Sequence, residues 1–124
     1  MPDYMVLLYT PERDEDERPE ERWADMPLWL ELTESLRGAG LLVAHGPLYP
    51  VSAATTVRVR AGRTELTDGP FATTKEILAG YYVLRCADLD EALRHAARMP
   101  TALRGSVEVR PIMDVSEIPA SGRA

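Results

Sequence analysis

The chain has 124 residues, of which 45% are hydrophobic and 27% charged. This length and composition predict one folded domain with a real core and exclude a wholly disordered chain. The sole cysteine, Cys86, excludes a disulfide framework and a multi-cysteine metal site. A net charge of −6 argues against direct binding to nucleic acid.

The amino-terminal segment lacks the pattern of an export signal. Its start is acidic rather than basic, and its short apolar run ends at Tyr9. No apolar run approaches the roughly 18 residues that cross a bilayer. We therefore expect a cytoplasmic protein with no membrane contact. Residues 12–21 hold seven acids and two arginines. We expect a solvated loop there, with a docking segment for a basic partner as the alternative.

The first half of the chain predicts a strand, a helix and a second strand. The apolar run 4–9 is typical of a buried strand. Apolar residues at three- and four-residue steps over 22–37 predict a helix. Pro27 either kinks this helix or stands in its first turn. Residues 41–48 predict the second strand, which breaks at Gly46 and the proline after it.

The second half predicts four further elements. Turn chemistry and strict alternation indicate a hairpin, and the later elements repeat the strand–helix–strand order. They are the hairpin over 55–67, a strand over 80–86, a helix over 88–99 that is capped by Asp88, and a closing strand over 106–113. We expect a single domain over 1–113 and a tail, 114–124, that has no periodic pattern and frays.

This order predicts an α+β fold of the ferredoxin-like (split βαβ) type. Two helices would cover one face of an antiparallel sheet, with the hairpin as an extra feature. The valines of the two alternating strands suit the face under the helices. That choice places on the other face Thr56, Arg58, Arg60, Glu108 and Arg110.

The sequence leaves open which apolar side chains of two strands join that other face. The alternatives are Tyr4, Val6 and Leu8 or Met5, Leu7 and Tyr9 in the first strand, and Tyr81, Val83 and Arg85 or Tyr82, Leu84 and Cys86 in the later one. Either choice exposes an apolar patch that monomers rarely tolerate. We therefore expect a homodimer in which a second copy covers this face by a two-fold axis. The two sheets would enclose a small-molecule cavity lined by tyrosines and arginines.

Residues 68–80 carry a recognisable motif. They read Asp-Gly-Pro-Phe-Ala-Thr-Thr-Lys-Glu-Ile-Leu-Ala-Gly, followed by Tyr-Tyr-Val-Leu. This segment resembles the DGPF motif of the YCII-related domain family. Further segments resemble that family in the same order: 4–9, 54–60, 88–93 and 106–111.

The resemblance implies a ferredoxin-like fold that pairs into a dimeric α/β barrel. Relatives in the DGPF branch are often encoded beside extracytoplasmic-function sigma factors, so the resemblance also implies such a factor as a partner. In the YciI branch, a histidine before the first helix and an aspartate are proposed as an acid–base pair. Residues 19–23 contain no histidine, so this chain departs from that pattern.

Asp68 and His45 are the candidate catalytic residues. A carboxylate in a partly dry pocket can act as a base. The alternative role of Asp68 is to accept backbone N–H groups in the Asp-Gly-Pro turn. His45 lies near a strand end, and histidine side chains are common acid–base groups; its alternative role is that of a hydrogen-bonded edge residue.

The candidate ligand-binding residues suit a small anion. They are Arg58, Arg60, Phe71, Lys75, Tyr81 and Arg110. Arginine donors match carboxylate or phosphate oxygens, and a lysine amine binds carboxylates or forms Schiff bases. The alternatives are ion pairs with nearby acids and, for Phe71, a place in the core. Two separated histidines predict no metal site, and no cofactor motif is present.

The sequence thus predicts a homodimeric, small-molecule-binding or accessory module that needs no cofactor. A small enzyme doing acid–base chemistry on an anionic substrate is the alternative. A purely structural dimer with a filled interior is the third.

Overall fold

The computed structural model describes residues 1–11, 20, 23–71 and 75–122, so most of the acidic segment 12–21 lies outside it. Six strands and three helices follow one another along the described chain. They are β1 (Asp3–Pro11), α1 (Met26–Gly38), β2 (Leu42–Pro47), β3 (Thr55–Arg60), β4 (Arg63–Asp68), β5 (Glu76–Arg85), α2 (Leu89–Ala96), α3 (Thr101–Arg104) and β6 (Ser106–Pro111). The tail, for which we expected fraying, forms two short 3₁₀ turns over 115–117 and 120–122.

Four strands form an antiparallel sheet in the order β2-β5-β1-β6. This is an α+β architecture, and the strand order is compatible with the predicted ferredoxin-like arrangement. Strands β3 and β4 pair with each other in a separate two-stranded sheet. The chain reverses between them through Ala61 and Gly62, whose φ angles are 50° and 75°.

The core lies between the helices and one face of the four-stranded sheet. From the strands it contains Tyr4, Val6, Leu8, Tyr82, Leu84 and the residue after β5, Cys86. The helical side supplies Leu32, Leu36, Ala92, Ala96 and Met99. Val107 and Val109 pack against this cluster, so the prediction for the closing strand is confirmed.

The same prediction is wrong for the hairpin. Val57 and Val59 do not lie under the helices, and their side chains are 60% and 59% exposed. Alternation assigns residues to the two faces of a strand, but it does not determine which sheet the strand joins.

The helix boundaries follow from local chemistry. Pro27 stands in the first turn of α1, where its missing N–H removes no helical hydrogen bond. At α2, the Asp88 carboxylate accepts the Glu91 N–H at 2.9 Å, and the Glu91 carboxylate accepts the Ala87 N–H at 2.9 Å. The helix predicted over 88–99 is interrupted after Ala96, and α3 begins beyond Pro100. Among the described residues, no helix has the length and apolarity needed to span a bilayer.

A buried hydrogen-bond chain fixes α1 to the sheet. The Thr33 hydroxyl donates to the Trp29 carbonyl at 2.7 Å and lies 2.6 Å from the Tyr82 hydroxyl. Since Thr33 has a single hydroxyl proton, Tyr82 is the donor in the second bond. The Tyr82 ring stacks on Trp29 and His45, with centroid separations of 6.1 and 5.3 Å.

Gly105 sets the close approach between the end of α3 and β1. A Cβ at this position would lie 2.1 Å from the Tyr9 carbonyl oxygen. We expect Gly105→Ala to reduce the free energy of unfolding by about 1–3 kcal/mol in urea denaturation, because the backbone must move. The matched control is Gly38→Ala, where an added Cβ meets nothing within 4 Å. Equal stabilities for the two variants would contradict this account of the α3–β1 contact.

Candidate functional site

The face of the four-stranded sheet opposite the helices, here called the outer face, carries an apolar centre. The pleat directs Met5, Leu7 and Tyr9 of β1 to this face, because Tyr4, Val6 and Leu8 point into the core. In β5 the same alternation assigns Tyr81 and Val83 to it. The structure thus determines which side chains of β1 and β5 lie on the outer face, a choice that the sequence left open. None of these side chains belongs to the core cluster.

Strand register orders the outer face into rows. Val83, Met5 and Arg110 are neighbours in one row across β5, β1 and β6. Tyr81, Leu7 and Glu108 form the next row. The apolar side chains therefore occupy the middle strands, and the charged ones lie along β6.

Tyr81 leans towards the β2 edge. Its ring carbons and hydroxyl lie 3.1–3.3 Å from the position that a Cβ on Gly46 would take. A larger residue at 46 would push the ring away. Gly46 thus permits the tyrosine to lie over β2.

Asp3 and Arg85 close one end of the outer face. The Arg85 Nε and Nη2 donate to the two Asp3 carboxylate oxygens at 2.8 and 3.2 Å. This forked pair lowers the pKa of the Asp3 carboxyl below its ordinary value, against the opposing effect of desolvation.

Tyr9 and Glu108 form a polar contact on the same face. The Tyr9 hydroxyl donates to Glu108 at 3.4 Å. Desolvation and the Glu108 carboxylate raise the pKa of Tyr9, so this phenol stays protonated at neutral pH. Tyr9 is therefore a hydrogen-bond donor and not a base.

Arg110 is the unpaired cation of the outer face. It lies beside Met5 in β1, is exposed, and makes no ion pair within the described part of the chain. A guanidinium next to an apolar surface can hold a carboxylate or phosphate oxygen with two donors.

The predicted site residues lie in three separate places. His45 is on the helix-covered face; Tyr81 and Arg110 are on the outer face; the hairpin and the segment after it hold Arg58, Arg60, Asp68, Phe71 and Lys75. The prediction that Arg58 and Arg60 share a face with Glu108 and Arg110 is wrong, because β3 pairs with β4 and not with the main sheet.

The candidate catalytic residues His45 and Asp68 belong to strands of different sheets. His45 stacks on Tyr82 at the β2 edge, and Asp68 ends the exposed strand β4. Within the described residues, no hydrogen bond joins them.

Phe71 and Lys75 are both exposed. The Arg58 guanidinium lies 5.4 Å from the centre of the Phe71 ring, so this phenylalanine is a stacking surface for an arginine and is not in the core. Lys75 stands immediately before β5.

Sequence reasoning did not select Asp3, Tyr9 or Glu108 as site residues. The sequence signal that could have found Asp3 and Tyr9 was the alternation of β1. Both residues are an even number of positions from Met5 and Leu7, so their side chains lie on the same face of the strand. This alternation identifies the outer face only when it is known that the helices cover Tyr4, Val6 and Leu8.

A groove of about 380 Å³ lies on the helical side, between α1 and the segment that contains α3. The Asp25–Arg104 ion pair, at 2.8 Å, lies at its wall, and the groove contains no predicted site residue. Among the described residues, no group of three or more His, Cys, Asp or Glu side chains is arranged to hold a metal ion. The outer face is therefore the candidate site.

Comparison of this sequence with known proteins identifies one family. The model of the YCII-related domain matches residues 3–116. An uncharacterised protein of Rhizobium meliloti (strain 1021) is 50% identical over 76 residues, which cover 60% of this chain and 61% of that protein. The match thus spans about three fifths of the relative's length.

The Asp3–Arg85 pair predicts a pH-dependent contribution to stability. Because the pKa of Asp3 is lower when folded than its ordinary 3.8, the contribution is present above that value and is lost as the pH falls below it. We expect Asp3→Asn to give a small decrease in Tm at pH 7 that diminishes as the pH falls below 3.8. Asp68→Asn, at an exposed aspartate, is the control. A decrease that persists unchanged at low pH would contradict the assignment.

Proposed function

This chain belongs to the YCII-related domain family, and we propose that it is a homodimeric module that binds a small anionic molecule against the outer face of its sheet. The observation that carries the proposal is the outer face, which no described helix covers and which has an apolar centre beside Arg110, a residue without an ion pair among the described residues.

The apolar centre supports pairing with a second copy. Met5, Leu7, Tyr81 and Val83 lie in two adjacent rows and are all partly exposed. The cost of leaving contiguous apolar surface in water favours its burial. Sheets that pack face to face lie about 10 Å apart with their side chains filling the space between them, so two apolar centres in contact would bury each other.

The charges around the centre suit a self-complementary contact. The face carries two acids and two arginines around the apolar centre, namely Asp3, Glu108, Arg85 and Arg110. In a two-fold interface each surface meets a copy of itself, so a face that carries both signs can place acids opposite bases. A face with one sign of charge would repel its copy.

Arg110 supports the anionic nature of the ligand. Its guanidinium has no acidic partner within the described residues, whereas Arg85 is held by Asp3. The Tyr9 hydroxyl, protonated at neutral pH, adds a donor on the same face. A small molecule with a carboxylate or phosphate and an apolar body matches these groups.

Two other functions have less support. Acid–base catalysis by Asp68 and His45 requires them to share a substrate, and they lie on different sheets. An extracytoplasmic-function sigma factor is the protein partner implied by the family resemblance, and no described surface specifically favours it. A pull-down with the purified factor tests that partner separately.

Binding is tested by a thermal-shift screen of the wild-type protein against small carboxylates and phosphates. A ligand at about 100 times its Kd adds roughly 2.7 kcal/mol, which raises the Tm by about 5–10 °C for a unit of this size. We expect Arg110→Gln to abolish most of the shift. The matched control is Arg94→Gln, an exposed arginine on α2 away from the outer face. A shift that survives in Arg110→Gln, or no shift with any anion, would contradict the proposal.

A further inference from the structure

The β3–β4 hairpin, here called the arm, is not covered by another described strand or helix. Its two strands pair only with each other among the described strands. Every residue of both strands is exposed except Thr56, whose hydroxyl donates to the Gly69 carbonyl at the base of the arm. The arm is therefore attached at its base and largely exposed on both faces, with Phe71 beside Arg58 on one of them.

One face of the arm is an apolar stripe. Val57 lies opposite Leu66, and Val59 follows on the same face. These side chains are 60%, 68% and 59% exposed. A two-stranded hairpin is marginally stable in water unless a surface covers one of its faces. The stripe therefore indicates a contact that the described part of the chain does not provide.

The other face of the arm is basic. Arg58 lies opposite Glu65, and Arg60 lies opposite Arg63 next to the turn. Like charges that face each other across a hairpin are destabilising. No acid of the described chain forms an ion pair with these arginines, and the one side-chain hydrogen bond found for them is from Arg60 to the adjacent Val59 carbonyl at 3.1 Å. Acidic residues from outside the arm would therefore stabilise the tip of the arm, where Arg60 and Arg63 face each other.

The charge balance of the chain indicates what supplies that surface. The arm has three arginines and two acids, a net charge of +1, so the rest of the chain carries −7. By sequence, −5 of that charge belongs to residues 12–21. A basic arm on an acidic body is electrostatically complementary to a second copy of the same chain.

We infer that the arm of each protomer docks on the body of its partner, where its apolar stripe is buried and its basic tip is neutralised. The inference rests on the proposed homodimer and adds a second contact to it. Nucleic acid is disfavoured as the occupant, because the chain is acidic overall and a phosphate backbone offers nothing to the valine–leucine stripe.

The dimer dissociation constant, measured by sedimentation equilibrium of the full chain, tests the inference. We expect Arg60→Gln/Arg63→Gln to raise this Kd about tenfold at 0.15 M salt, since two arms lose their charge pairs, and we expect the difference to shrink at 1 M salt. Val57→Ser/Leu66→Ser should raise it by at least as much, with no loss at high salt. The matched controls are Arg37→Gln/Arg94→Gln, on the helices, and Leu103→Ser, which is 89% exposed on α3.

A photo-crosslinker attached to Val59→Cys adds a direct readout, because the native Cys86 is fully buried. Crosslinks between two chains support the inference, and crosslinks confined to one chain overturn it. A dimeric wild type whose Kd is unchanged in both arm variants overturns the arm contact and leaves the proposed dimer standing. A wild type that is monomeric throughout overturns both. Arm-dependent binding to a DNA duplex with an unchanged dimer Kd would assign the arm to nucleic acid instead.

Discussion

The pleat of β1 is the constraint on which the rest of the structure depends. This strand lies inside the sheet between β5 and β6, and it is apolar on both faces. Successive side chains must point to opposite sides, so burying Tyr4, Val6 and Leu8 under the helices directs Met5, Leu7 and Tyr9 away from them. The described helices cover one side of the strand. The other side is the origin of the candidate site and of the proposed dimer.

The helix-covered face of the sheet packs against helices, whereas no described helix packs against the outer face. Tyr82 is buried there, its hydroxyl bonds to Thr33, and its ring is stacked between Trp29 and His45. On the outer face Tyr81, the residue immediately before Tyr82, leans over Gly46 and remains partly exposed. Two adjacent tyrosines thus differ in role because one meets a helix and the other does not. His45 likewise stacks on a buried ring of the helix-covered face. The guanidinium of Arg110, on the outer face, has no ion pair among the described residues.

Sequence patterns predicted the elements well and their mutual placement less well. The order of the strands and main helices along the chain and the capping of α2 by Asp88 followed from alternation, turn residues and a carboxylate at a helix start. Three features could not be predicted in this way. Both residue sets of β1 are apolar, so its alternation does not say which face meets the helices. The arm has the same pattern as a strand of the main sheet. An irregularity between Leu42 and Ala44 shifts β2 by one residue, so parity could not place His45.

The central claim is that the outer face is a contact between two copies of the chain. The most direct measurement is the molar mass of the wild type and of Leu7→Lys by light scattering in solution. The account predicts about twice 13.8 kDa for the wild type and 13.8 kDa for the variant, because a lysine in the apolar centre cannot be buried unpaired. The control, Leu103→Lys on exposed α3, should match the wild type. A wild-type mass of 13.8 kDa, or a Leu7→Lys variant that remains a dimer, would contradict the account.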